Sequence, residues 1–154
     1  MDKKNWLKGK RLSTCLLVML SFSVVSCQEQ WYVTVPDASD PSAPVICISK
    51  GKNCSGDGVI FNTLLFSQYT EDGRELERMW AIKPTENVPV KDLKYGVVPS
   101  GWRELQPARP LRLGDWYAIN SHFYFRMTKV GETINNEVRS VIEFMGQAHS
   151  KRNQ

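Results

Sequence analysis

The chain has 154 residues, 42% hydrophobic and 23% charged, with 20 lysines and arginines against 16 aspartates and glutamates, a formal charge of +4. Five of the basic residues (Lys3, Lys4, Lys8, Lys10, Arg11) and one acid (Asp2) precede residue 27, so the remainder carries 15 of each sign and is formally neutral. That balance excludes the basic footprint of a nucleic-acid-binding domain, and the 128 residues from Cys27 onward suffice for one compact domain but not two.

Behind the lysine cluster runs an apolar stretch from Leu16 to Val25, ten residues, about half of the roughly 20 that a helix needs to cross a bilayer. A positive start followed by a short apolar run reads as a secretory leader. It ends in Val24-Val25-Ser26-Cys27, which resembles the bacterial lipobox. The resemblance implies that residues 1–26 are cleaved, that the Cys27 thiol receives a diacylglycerol, and that the new amine takes a fatty acyl chain such as palmitate. Two or more chains anchor a protein stably where one does not. Cys15 follows the bulkier Thr14 with little apolar chain before it, and reads as an ordinary leader residue. Gln28 stands where lipoproteins of the inner membrane resemble one another in carrying aspartate, so the expected address is the periplasmic face of the outer membrane. An uncleaved anchor, or secretion with Cys27 as a free thiol, is the alternative.

Residues 27–30 form a minimal tether, and residues 31–146 the expected domain. Trp31 to Val35 alternates aromatic and β-branched residues as a strand does. Asp37 to Pro44 is a proline- and serine-rich loop. Val45 to Ser49 reads as a second strand, followed by a turn at Gly51 and a return clamped by Cys54. Cys47 and Cys54, an even pair in an oxidising compartment, read as a disulfide. A metal site is the other reading of that pair, but the second pair of ligands is missing and neither histidine is near in sequence. Val59 to Phe66 is apolar enough for a central strand, and Asp72-Gly73 marks a tight hairpin turn. In Arg78 to Lys83, Trp80 and Ile82 are expected to face the core and Met79 and Ala81 the other side. A short strand at Leu93 runs into Pro99-Ser100-Gly101, a turn that presents Trp102. Asp115 to Asn120 and His122 to Thr128 read as two further strands.

The segment from Glu132 to Met145 fits both periods: Val138, Val141, Ile142 and Met145 suit a helix, and Ser140, Ile142 and Phe144 suit a strand. With no capping signal recognised, the extended form is favoured, and residues 147–154 read as a frayed polar tail. Seven or eight short strands with frequent turns argue for an all-β fold, a small immunoglobulin-like antiparallel β-sandwich. The cysteine pair is too close to bridge the two sheets as in antibody domains.

The residue pattern carries no catalytic signature: no GXSXG elbow, HEXXH helix or CXXC motif is present. His122 opens an aromatic strand and reads as structural. The acids Glu71, Asp72, Glu75 and Glu77 are interleaved with Arg74 and Arg78 and read as a solvated hairpin, not a glycosidase pair. The expectation is therefore no enzyme, no cofactor, no metal and no small-molecule substrate, but a binding protein. Trp102 with Arg103 is the candidate loop-borne anchor, because tryptophan and arginine dominate interface hot spots, and Tyr95 joins them as a candidate contact. A tryptophan folded back over the end of the sandwich is the alternative.

The lipobox Cys27, the Cys47/Cys54 pair, Arg78-Met79-Trp80-Ala81-Ile82, the stretch from Val90 to Gly96 leading into Pro99-Ser100-Gly101-Trp102, and Leu113-Gly114-Asp115-Trp116-Tyr117-Ala118-Ile119 together resemble a family of small enterobacterial periplasmic lipoproteins described as type VI secretion immunity proteins. The resemblance spans most of residues 27 to 128. It implies a membrane-anchored protein whose partner is a toxic effector in the periplasm, neutralised by steric occlusion. An accessory lipoprotein that assembles an envelope machine is the alternative.

Overall fold

A computed structural model describes residues 30–35, 40–130 and 133–152. The expected leader, Cys27 and most of the expected tether lie outside the described residues, as does the core of the proline-rich loop.

Among the described residues the chain forms nine strands and one α-helix: β1 (Tyr32–Thr34), β2 (Val45–Ser49), β3 (Leu64–Tyr69), β4 (Glu75–Pro84), β5 (Asp92–Lys94), β6 (Trp102–Gln106), β7 (Trp116–Ile119), β8 (Phe123–Val130), β9 (Thr133–Ser140) and α1 (Val141–Arg152). They build two antiparallel sheets, one ordered β1-β2-β5 and one ordered β6-β4-β3-β7-β8-β9. The all-β sandwich expected from the sequence is the fold observed. No described helix is long and apolar enough to cross a membrane.

Period-two alternation explains how the large sheet packs on both faces. Leu64, Phe66, Trp80, Ile82, Tyr117, Ile119, Phe125 and Met127 point inward and meet Val33, Ile46, Ile48 and Leu93 of the small sheet in the main core. Their outward neighbours Tyr69, Trp116, Ala118 and Tyr124 form a second cluster, closed by Phe144 of α1, whose ring stacks on Tyr124 at 4.0 Å. One outward expectation fails. Met79 joins the main core together with Trp80 and Ile82, because a bulge pairs Ser67 with Arg78 and Phe66 with Trp80, leaving Met79 as the extra residue.

The tight turns form where glycine and asparagine permit them. Gly73 turns β3 into β4 at φ +82, and Asn120 and Ser121 turn β7 into β8 at φ 49 and 56. The last of these is a turn closed by the His122 N–H donating to the Ile119 carbonyl at 3.0 Å, its two central residues left-handed, a role asparagine fills readily, and three residues separate the paired Ile119 and Phe123.

Two stretches differ from the sequence expectation. Residues 59–63 are not a central strand: Val59 makes only an isolated bridge to Val90, and β3 begins at Leu64. The C-terminal segment divides, with Thr133–Ser140 extended and Val141–Arg152 helical, so the expected frayed tail is largely helix. The divide is set by Ser140: its N–H and its hydroxyl both donate to the Glu143 carboxylate at 2.8 Å, and the Glu143 N–H returns to the Ser140 hydroxyl at 3.4 Å. Ser140-Val141-Ile142-Glu143 is a capping box.

Candidate functional site

Two of the three residues expected at the contact surface are core. Tyr95 is 2% exposed, its ring packed on Phe66 and Trp80. Its hydroxyl donates to the carbonyls of Arg109 at 2.8 Å and Met79 at 3.3 Å. Burial pushes the phenol far above its ordinary range. Trp102 is 8% exposed and belongs to the main core. The turn before it closes early, the Trp102 N–H donating to the Pro99 carbonyl at 3.1 Å, so Trp102 is the first residue of β6 and pairs with Pro84. It is thus folded back over the sandwich, and Arg103 alone of the three is exposed.

Cys47 and Cys54 have their sulfurs at bonding distance, 1.83 Å, with Cα atoms 5.8 Å apart. The disulfide ties β2 to the turn that follows it, within the small sheet. Asp92 Oδ1 lies 3.9 Å from Cys54 Sγ, which makes a three-residue cluster with the geometry of metal ligands. Both sulfurs are spent in the disulfide and so are not thiolate ligands. His122 is exposed, with Nδ1 2.7 Å from the Asn120 carbonyl of its own hairpin turn and its ring 5.8 Å from Trp31. The acids around the β3–β4 hairpin form ion pairs, Glu77 with Arg109 and Glu71 with Arg126 at 3.5 Å.

Arg103 sits on one of the two edges of the large sheet, the other being β9. β6 is paired with β4 on one side and with no strand on the other among the described residues. Arg103, Glu104 and Leu105 are exposed in succession, Leu105 at 51%. The strand is nevertheless held firmly: Trp102 is set in the core, and Glu104 accepts the indole N–H of the fully buried Trp80 at 3.0 Å. Gln106 donates to the Arg78 carbonyl at 2.6 Å. A bulge leaves Leu105 as the extra residue between Glu104, paired with Ile82, and Gln106, paired with Ala81, so regular pairing with an added strand is confined to Trp102–Glu104, with the exposed Leu105 beside it.

A recess of about 570 Å³ opens on the outer face of the same sheet, beside the β7–β8 turn, lined by Ile60, Leu65, Ser67, Glu75, Arg78 and Asn120 among others. Asn120 shapes it, accepting the Leu65 N–H at 2.8 Å and donating to the Thr63 carbonyl at 3.1 Å. Sequence reading missed this role, although an asparagine-serine pair between two aromatic strands signals a left-handed turn. Farther along the face, Arg126 and Arg139 stack against the Trp116 ring at 4.6 and 4.7 Å while Glu137 pairs with both. Burial raises the Glu137 carboxyl, but the two arginines outweigh it and hold the group below its ordinary range. The arginines are compensated, which makes this cluster architecture and not an anion site. Comparison with protein-family models, curated proteins and solved structures found no match.

Proposed function

We propose that the chain is a lipid-anchored periplasmic binding protein that protects its own cell from an effector delivered by type VI secretion, acting by occlusion and without chemistry of its own. The observation that supports this reading is the β6 edge, rigidly seated on Trp102 and Trp80 and presenting Arg103, Glu104 and Leu105. Such an edge takes an extended segment of the partner as one more strand, main-chain hydrogen bonds supplying affinity and alternate side chains supplying choice. Anchoring at Cys27 concentrates the protector at the surface the effector reaches.

The test uses the full chain in its own envelope. Deletion is expected to sensitise cells to type VI attack by siblings or neighbours, and the wild-type chain to restore resistance and to capture an effector. The Arg103→Glu/Leu105→Lys variant is expected to accumulate normally while partner binding weakens by about tenfold or more, the effect of losing about 1.4 kcal/mol at the interface. A deletion strain no more sensitive than its parent, together with capture that recovers no effector, defeats the proposal. Capture of usher, chaperone or secretion-machine subunits through the same edge establishes the accessory role instead, since strand addition serves assembly as well as inhibition.

A further inference from the structure

The end of the sandwich where the chain enters carries a groove of about 740 Å³ between β1 and the β9–α1 junction. Trp31, Tyr32, Phe123, Val141 and Ile142 give it an apolar lining, and Ile142 is 82% exposed. Trp31 is braced from below, its ring 5.0 Å from Phe61 and 4.8 Å from Phe123. Lys52 stands at the rim, 5.9 Å over the Tyr32 ring. Glu143, the acid of the groove, is turned onto Ser140 by the capping box. Gln30 also lines the groove, and three residue steps, no more than about 11 Å of chain, separate it from Cys27.

We infer that this groove seats the domain on the phospholipid surface that holds the lipid of Cys27, a reading that rests on the lipid anchor proposed above. So short a tether holds this end of the domain against the bilayer. Tryptophan and tyrosine favour the boundary between headgroups and acyl chains, where the ring is apolar and the N–H or O–H stays wet. Ile142 enters the acyl boundary and Lys52 meets lipid phosphates. The seat also orients the molecule. Ile119, Phe123 and Ser140 lie in one row at the membrane end of the large sheet, and Tyr69 and Glu75 pair at the opposite end. The β3–β4 turn therefore points into the periplasm and the β6 edge stands at the side, open to a partner.

Ile142→Cys in the full lipidated chain, spin-labelled and reconstituted in phosphatidylethanolamine/phosphatidylglycerol vesicles, tests the seat. Leu76→Cys, exposed at the far end of β4, is the reference. Both substitutions fall on exposed side chains and leave the core intact. With vesicles floated, the label at 142 is expected to collide several-fold less with a water-soluble nickel chelate and several-fold more with oxygen than the label at 76. Equal accessibility at both positions on floated vesicles overturns the seat and leaves the anchor standing. Protection from both quenchers means that protein, a second copy included, covers the groove, and overturns the seat as well. A chain that does not float with the vesicles carries no lipid, which overturns the anchor and the seat together.

Discussion

Three tyrosines show how a single side chain is committed to the fold. Burial raises the phenols of Tyr95 and Tyr117, and burial with Tyr69 nearby raises that of Tyr124 to about 12. Each therefore holds its proton more tightly folded than unfolded, where the value is about 10. Their contribution to stability is fully present below pH 10 and is lost as pH rises from there through the folded values. Alkaline titration is expected to show the phenolate signal of these three arising together with loss of near-ultraviolet circular dichroism. A phenolate transition of full amplitude with its midpoint at about pH 10 and the fold intact contradicts the burial described. The same residues mark what can be read from sequence. That most aromatics are core follows from their number, but whether Trp102 is displayed or folded back depends on where the Pro99 turn closes, and one residue decides it. Met79 shows a similar limit: alternation gives its face only until a bulge adds a residue, and bulges leave no mark in the pattern.

At the level of elements, the hairpins were legible because their turns carry chemistry. Asp72-Gly73 and the paired runs around Asn120 fix both strand ends and register. The start of β3 was not, since in the run from Val59 to Leu65 the inward Val59 and Phe61 alternate with the exposed Ile60 and Asn62 in an irregular approach before the strand begins. The close passage of Gly58 by Val90 replaces regular pairing there, a Cβ on Gly58 falling 2.7 Å from the Val90 carbonyl oxygen. Helix α1 was legible and overlooked. Ser140 and Glu143 stand at capping spacing, and Val141, Phe144 and Ala148 make a row at helical period, the first partly buried and the other two buried, although Gly146 inside the helix weakens the local preference. Ser140→Ala is expected to cost about 1 kcal/mol and to loosen the α1 cover, read as faster amide exchange in α1 and around Tyr124 with β2 and β5 unaffected. The Ser140 contacts also hold Glu143 below its ordinary range. The carboxylate's support of the helix is thus present above that range and lost as pH falls through the lowered value. Uniform exchange changes across both sheets would show that Ser140 acts elsewhere than at the cap.

The molecule as a whole is asymmetric, and that asymmetry decides what the disulfide does. The six-stranded sheet is packed on both faces, by the small sheet within and by α1 without. The small sheet has strands of three, five and three residues and depends on the main core for its place. Cys47–Cys54 closes a ring of about eight residues inside this weaker layer, worth about 2.5 kcal/mol of chain entropy in the unfolded state. It does not join the layers. Reduction, or Cys47→Ala with Cys54→Ala, is therefore expected to lower the urea midpoint by an amount equivalent to about 2 to 3 kcal/mol. The denaturant slope is expected to rise only slightly, because the ring released in the unfolded state is short and the core contacts between Ile46, Ile48, Leu93 and the large sheet persist in the folded one. The near-ultraviolet signal of Trp80 and Tyr95, which report the inter-sheet core, is expected to survive reduction without denaturant. Its loss would mean that the small sheet cannot hold its position by packing, and that the oxidising compartment proposed above would be a condition of the fold itself.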